Sequence, residues 1–149
     1  MVIIIGSKRE QGVMLLEALI GILIFSIGIL SMVAMQALAI GTISDAKYRS
    51  DASFLANQII TQIWLDRGVN MANMTSYAYP GGAAPALSNW ITKLNSTLPQ
   101  TTGANAPAIT VTLTGTPPTS GTVDVTIKWQ PPNSGTVHNY RTISVVANP

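Results

Sequence analysis

Ala18-Leu-Ile-Gly-Ile-Leu-Ile-Phe-Ser-Ile-Gly-Ile-Leu-Ser-Met-Val-Ala-Met35 contains no charged residue, and none follows until Asp45. As a helix rising about 1.5 Å per residue, the run from Ala18 to Ser44 spans roughly 40 Å, more than the ~30 Å hydrocarbon core of a bilayer. It can therefore cross a membrane. A core helix that is apolar on every side needs a large protein around it, and a chain of 149 residues cannot supply one. Two other readings compete with a functional span. One is an ordinary signal anchor. The other is a cleaved secretory signal, with Lys8 and Arg9 as the basic n-region and Ala37-Leu38-Ala39 as a small-residue cleavage site. Against cleavage there, the run exceeds the usual apolar region of about 7–15 residues, and Glu17 stands at its entrance. Lys8 and Arg9 on one side are balanced by Lys47 and Arg49 on the other, so charge does not set the orientation. The short N-terminal tail makes N-inside, C-outside the simpler topology.

Beyond the span the apolar residues Ala52, Leu55, Ala56, Ile59, Ile60, Ile63 and Trp64 recur at the spacing of one helix face. No proline interrupts Val13 to Arg67, and Gly68 follows as a stop, so one helix is expected over 13–67. Gly21, Gly28 and Gly41 weaken it locally or let neighbouring spans pack closely. Val69 to Pro85, with Pro80, Gly81 and Gly82, reads as a loop. A short helix follows, with Leu87, Ile91, Leu94 and Leu98 on one face and Pro99 at its end. Thr101 to Pro107 is a linker.

The period then changes to two. Ile109, Val111 and Leu113 alternate with threonines, and Val123, Val125, Ile127 and Trp129 alternate with Thr122, Asp124, Thr126 and Lys128. A third strand runs from about Val137 to Val146, with an inward face that its mixed pattern leaves open. The expectation is an α+β fold: an antiparallel meander over 108–147 whose apolar face is covered by the helical stripe from Ala52 to Trp64.

Composition removes several functions from consideration. A formal charge of +2 with 9% charged residues offers no basic patch for phosphate neutralisation, so no nucleic-acid partner is expected. Without cysteine there is no disulfide, thiolate nucleophile or Cys-type metal site. His138 is the sole histidine and reads as a strand residue on a solvated face. A catalytic carboxylate pair would have to come from Asp45, Asp51, Asp66 and Asp124, of which the first three read as solvated helix positions. Trp64, Trp90 and Trp129 read as core or rim aromatics. No enzyme activity, cofactor, metal or small-molecule substrate is expected.

Glu17 distinguishes this chain from a generic anchor, because a carboxylate at the edge of a lipid-facing span is costly to bury unless it is paired. The segment Gln11-Gly12-Val13-Met14-Leu15-Leu16-Glu17-Ala18-Leu19-Ile20 resembles the class III signal of type IV pilins and type II secretion pseudopilins. Val13 stands where Phe or Met is more usual in that family, and the leader opens with an apolar Met1-Val-Ile-Ile-Ile5. The resemblance implies a leader over 1–12, cut by a prepilin peptidase between Gly12 and Val13, with the amine of Val13 then methylated. It implies a span over 13–43 that packs in a filament through Leu16, Leu19, Ile20, Leu23 and Ile27, with Glu17, fifth from Val13, pairing charge between subunits. Residues 44–149 would form a periplasmic domain: helix 44–67, loop and short helix 68–107, meander 108–147. A long helix on a small antiparallel sheet is also the pilin architecture.

Leu-Leu-Glu-Ala-Leu-Ile followed by Phe25-Ser-Ile-Gly-Ile-Leu-Ser-Met-Val-Ala-Met-Gln36 is most similar to PilV-type pilus-modification minor pilins. The implied location is the bacterial inner membrane, N-terminus cytoplasmic, and then the pilus or its tip. The implied partners are other minor and major pilins, the prepilin peptidase, the inner-membrane assembly platform and a tip adhesin. A minor pseudopilin of a type II secretion system shares the same signal. A membrane-anchored periplasmic binding module that never polymerises is the alternative of another class.

Overall fold

A computed structural model of the chain describes residues 10–132 and 134–147, without the side chains of 10 and 11. Residues 1–9 of the expected leader, including Lys8 and Arg9, lie outside the described residues. Five regular elements follow in order: α1 (Glu10–Asp66), α2 (Pro85–Thr97), β1 (Ala108–Thr114), β2 (Ser120–Trp129) and β3 (His138–Ala147). The expected α+β architecture, a long N-terminal helix and a three-stranded antiparallel sheet, is present. The chain divides into two compact units, Met1–Ser44 and Asp45–Pro149, and α1 contributes to both.

In the first unit α1 is apolar on all sides from Ala18 on, and its residues from Gly12 to Ile43 are exposed. Three hydroxyls in it are satisfied by the helix itself. Ser26 Oγ donates to Ile22 O at 2.7 Å, Ser31 Oγ to Ile27 O at 2.9 Å, and Thr42 Oγ1 to Leu38 O at 3.2 Å. Such bonds to the carbonyl four residues back remove polar groups from contact with an apolar surrounding. By length and composition this one helix can cross a membrane.

In the second unit the 3.6-residue period of α1 does what the sequence predicts. Ala52, Leu55, Ala56, Ile59, Ile60 and Ile63 are buried, whereas Phe54 and Leu65 face out. Trp64 departs from the expected stripe. It is 39% exposed at the rim, where its Nε1 lies 3.4 Å from Ser144 Oγ. A Trp at that position keeps its apolar body on the core and its N–H at the wet edge. Gly68 follows α1 with φ of 68°, a conformation that glycine adopts without a Cβ penalty.

The segment between α1 and α2 is not the plain loop expected. Two short 3₁₀ turns, Val69–Met71 and Met74–Tyr77, place Met71, Met74 and Tyr77 fully in the core. Gly82 closes this segment where no side chain fits, since a Cβ there would lie 2.3 Å from the carbonyl oxygens of Ala78 and Ser76. Pro85 then starts α2 at a position where its missing N–H costs nothing. Leu87, Trp90, Leu94 and the following Leu98 are buried in the core, where Trp90 Nε1 donates to Leu55 O of α1 at 2.9 Å.

The strand order is β1-β2-β3, antiparallel throughout. The register sets Ile109 opposite Val125 and Val111 opposite Val123 on one side, and Ile127 opposite Tyr140 and Trp129 opposite His138 on the other. This register settles the face of β3: His138, Tyr140, Thr142, Ser144 and Val146 turn toward α1, and Arg141, Ile143 and Val145 turn away. His138 is therefore not on the solvated face. It is half-buried at the sheet end, its ring stacked on Trp129 with centroids 5.8 Å apart. Ser53 Oγ lies 3.4 Å from Tyr140 Oη, a polar contact between α1 and β3 at the rim of the core.

Candidate functional site

Gly12 and Val13 lie in the opening turns of α1, and Glu17 follows Val13 by four residues. That spacing brings Val13 and Glu17 onto one face of the helix, about 6 Å apart along its axis. Leu16 and Ile20 complete the same surface strip. Glu17 is exposed, and among the described residues it makes no ion pair.

The residues expected to pack the span, Leu16, Leu19, Ile20, Leu23 and Ile27, are between 48% and 64% exposed. Gly21, Gly28 and Gly41 face open space, with nothing within 4 Å of where a Cβ would stand. Among the described residues this unit thus has no internal partner for its apolar surface. A carboxylate and a bare apolar helix face have two environments that suit them: lipid with the carboxylate at its edge, or other helices bringing a cation to it.

Elsewhere, a cleft of about 250 Å³ opens between α1 and α2, lined by Gln58, Gln62, Asn89 and Lys93 over Ile59, Ala86 and Trp90. Lys93 Nζ donates to Gln58 Oε1 at 3.0 Å and stands 5.3 Å from the Phe54 ring centroid, so its charge is already engaged. Among the described residues no group of His, Asp and Glu has metal-ligand geometry.

Two titratable contacts stiffen the second unit. Burial pushes the Tyr77 phenol up to about 12, helped by its hydrogen bond to Asp66 Oδ2 at 2.5 Å and by the Asp66 charge. Asp66, expected to be a plain solvated acid, thus anchors the turn that carries Tyr77. On the outer sheet face Arg141 grips Asp124 through Nε (3.0 and 3.1 Å) and Nη2 (2.6 Å). That hydrogen bonding holds the Asp124 carboxyl below its ordinary range and raises the guanidinium.

Neither a family model, nor a curated protein, nor a solved structure matches the chain significantly.

Proposed function

We propose that this chain is a structural subunit of the type IV pilin kind, a minor pilin that takes part in priming or tipping a pilus. A prepilin peptidase cuts between Gly12 and Val13, the amine of Val13 is methylated, and the span over 13–43 moves from the inner membrane into a helix bundle. The second unit stays on the periplasmic side and makes the specific contacts with other minor and major pilins, the assembly platform and a tip adhesin. One observation carries this reading: Gly12 and Glu17 stand at the head of a charge-free helical run, residues 18–44, whose large apolar side chains are all exposed.

The electrostatics explain why those two residues belong together. Cleavage creates an ammonium at Val13, one helical turn from Glu17, so each arriving subunit brings one charge of each sign. In a helix bundle an unpaired carboxylate costs several kcal/mol, and a neighbour's ammonium offsets this only at the correct depth. Glu17 thereby fixes axial register, while Leu16, Leu19, Ile20, Leu23 and Ile27 supply packing.

The test is Glu17→Val at matched expression, comparing membrane-bound and sheared-filament fractions by immunoblot. The variant should insert and be cut as the parent is, because its span is more apolar, yet be absent from filaments and from the priming complex. Equal recovery of both proteins in filaments would remove the charge-pairing role.

A further inference from the structure

The sheet treats its two edges differently. At β1, Tyr79 N–H donates to Ile109 O at 2.9 Å and Ile109 N–H donates back to Tyr79 O at 3.0 Å, closing that edge locally. This bridge also fixes the phase of the whole ladder. The backbone groups of Ile109 point away from β2, and such groups alternate in direction along an antiparallel strand. Those of Val125, opposite Ile109, therefore point to β3, and those of Thr142, opposite Val125, point back to β2. The N–H and C=O groups of Arg141, Ile143 and Val145 consequently point off the free edge of β3. Among the described residues no strand meets them.

Exposed edges are normally blunted by proline, a bulge, short length or a projecting charge. β3 has ten residues in unbroken register with β2 and contains no proline. Its one full charge, Arg141, is folded back onto Asp124. Beside the free backbone groups stand Ile143 and Val145, 56% and 60% exposed.

We propose that β3 is a strand-addition site that takes an extended segment of a different polypeptide, antiparallel, with β-branched residues opposite Ile143 and Val145 and a carboxylate opposite Arg141. Unpaired backbone donors and acceptors at strand spacing specify an extended peptide as the occupant. Charge specifies the rest. On the outer face Lys128 and Arg141 outnumber Asp124, so a carboxylate on the incoming strand is attracted and a lysine repelled. A second copy fits less well, because its edge strands β1 and β3 contain no Asp or Glu, and β3 would bring another arginine. This site does not depend on the pilin-like reading.

The experiment is amide hydrogen exchange by NMR on the full chain in detergent micelles, with the capped peptide Thr-Val-Thr-Ile-Thr-Glu-Thr as probe. Without the probe, the amides of Arg141, Ile143 and Val145 should exchange fast while those of Thr142 and Ser144 are protected. Millimolar probe should slow the first three by about tenfold or more. A probe methylated on its Val, Ile and Glu amide nitrogens, or carrying Lys for Glu, should fail to do so. Ile143→Lys, at an exposed position that leaves the core intact, should abolish the protection with the unmodified probe. No slowing at millimolar probe would overturn the proposal. Protection in the free chain that rises with its own concentration would also overturn it, by assigning the edge to a second copy.

Discussion

Replacing Ile59 by Ala tests whether the second half of α1 is held by the sheet along the face described. Ile59 is 1% exposed, within one cluster with Leu55, Trp90, Val125 and Ile127. The substitution deletes three carbons, about 2.4 kcal/mol of transfer free energy at about 0.8 kcal/mol per methylene. The cavity left in a packed core raises the loss to about 3–4 kcal/mol. Against a total stability of about 5–15 kcal/mol this is a large fraction, and at about 4–8 °C per kcal/mol it lowers Tm by about 12 °C or more. Leu65→Ala on the same helix, at a residue 78% exposed, should change stability by no more than about 0.5 kcal/mol. Ile59→Val should fall between them, near 1 kcal/mol. Thermal and denaturant melts of the full chain in micelles, followed by the fluorescence of buried Trp90 and Trp129, read all three. A loss at Leu65 equal to that at Ile59, or a loss below about 1 kcal/mol at Ile59, would refute the packing.

Tyr77 gives a pH-dependent prediction. Its phenol sits at about 12 in the folded chain against 10.0 ordinarily, so its contribution is complete below pH 10 and drains away as pH rises through about 12. Tyr77→Phe should cost about 1 kcal/mol at neutral pH and flatten the fall in stability over that alkaline window, read from denaturant midpoints; an unchanged slope would contradict it. At Gly82 an added methyl meets two carbonyl oxygens that belong to backbone and cannot rotate away. Gly82→Ala should therefore destabilise by about 2 kcal/mol or more, whereas Gly135→Ala, in open space, should be neutral within about 0.5 kcal/mol in the same melts.

Where one face of an element is buried and the other solvated, the sequence was explicit. Ala52 to Ile63 repeats at the helical period and Val123 to Trp129 at the strand period, and both sets are buried as those periods require. The pattern failed where burial is not one-sided. β3 carries Ile143 and Val145 on its open face and Tyr140 and Val146 on its covered one, so alternation alone could not choose between them. Only pairing with β2 does so. The segment after α1 was missed for another reason. Met71, Met74 and Tyr77 are spaced by three, the period of a 3₁₀ turn, but proline and glycine around them read as loop. Asn70 and Met71 also take positive φ values of 52° and 58°, which no local propensity announces. At the head of α1 the motif residues are legible in sequence, and the structure adds the common helix face of Val13 and Glu17 and their exposure. Among the described residues nothing covers them, so the fold of this chain leaves their contacts open.

The central claim concerns a cut and a modification at one peptide bond, so the mass of the mature N-terminal peptide tests it most directly. Full-length protein expressed with and without a prepilin peptidase would be digested and its terminal peptide sequenced by tandem mass spectrometry. With the peptidase, the chain should begin at Val13 with a methyl group on its amine, and without it the leader should remain. A terminus at Ile40 would establish a secretory signal instead, and an intact Met1 in the presence of the peptidase would establish a plain membrane anchor.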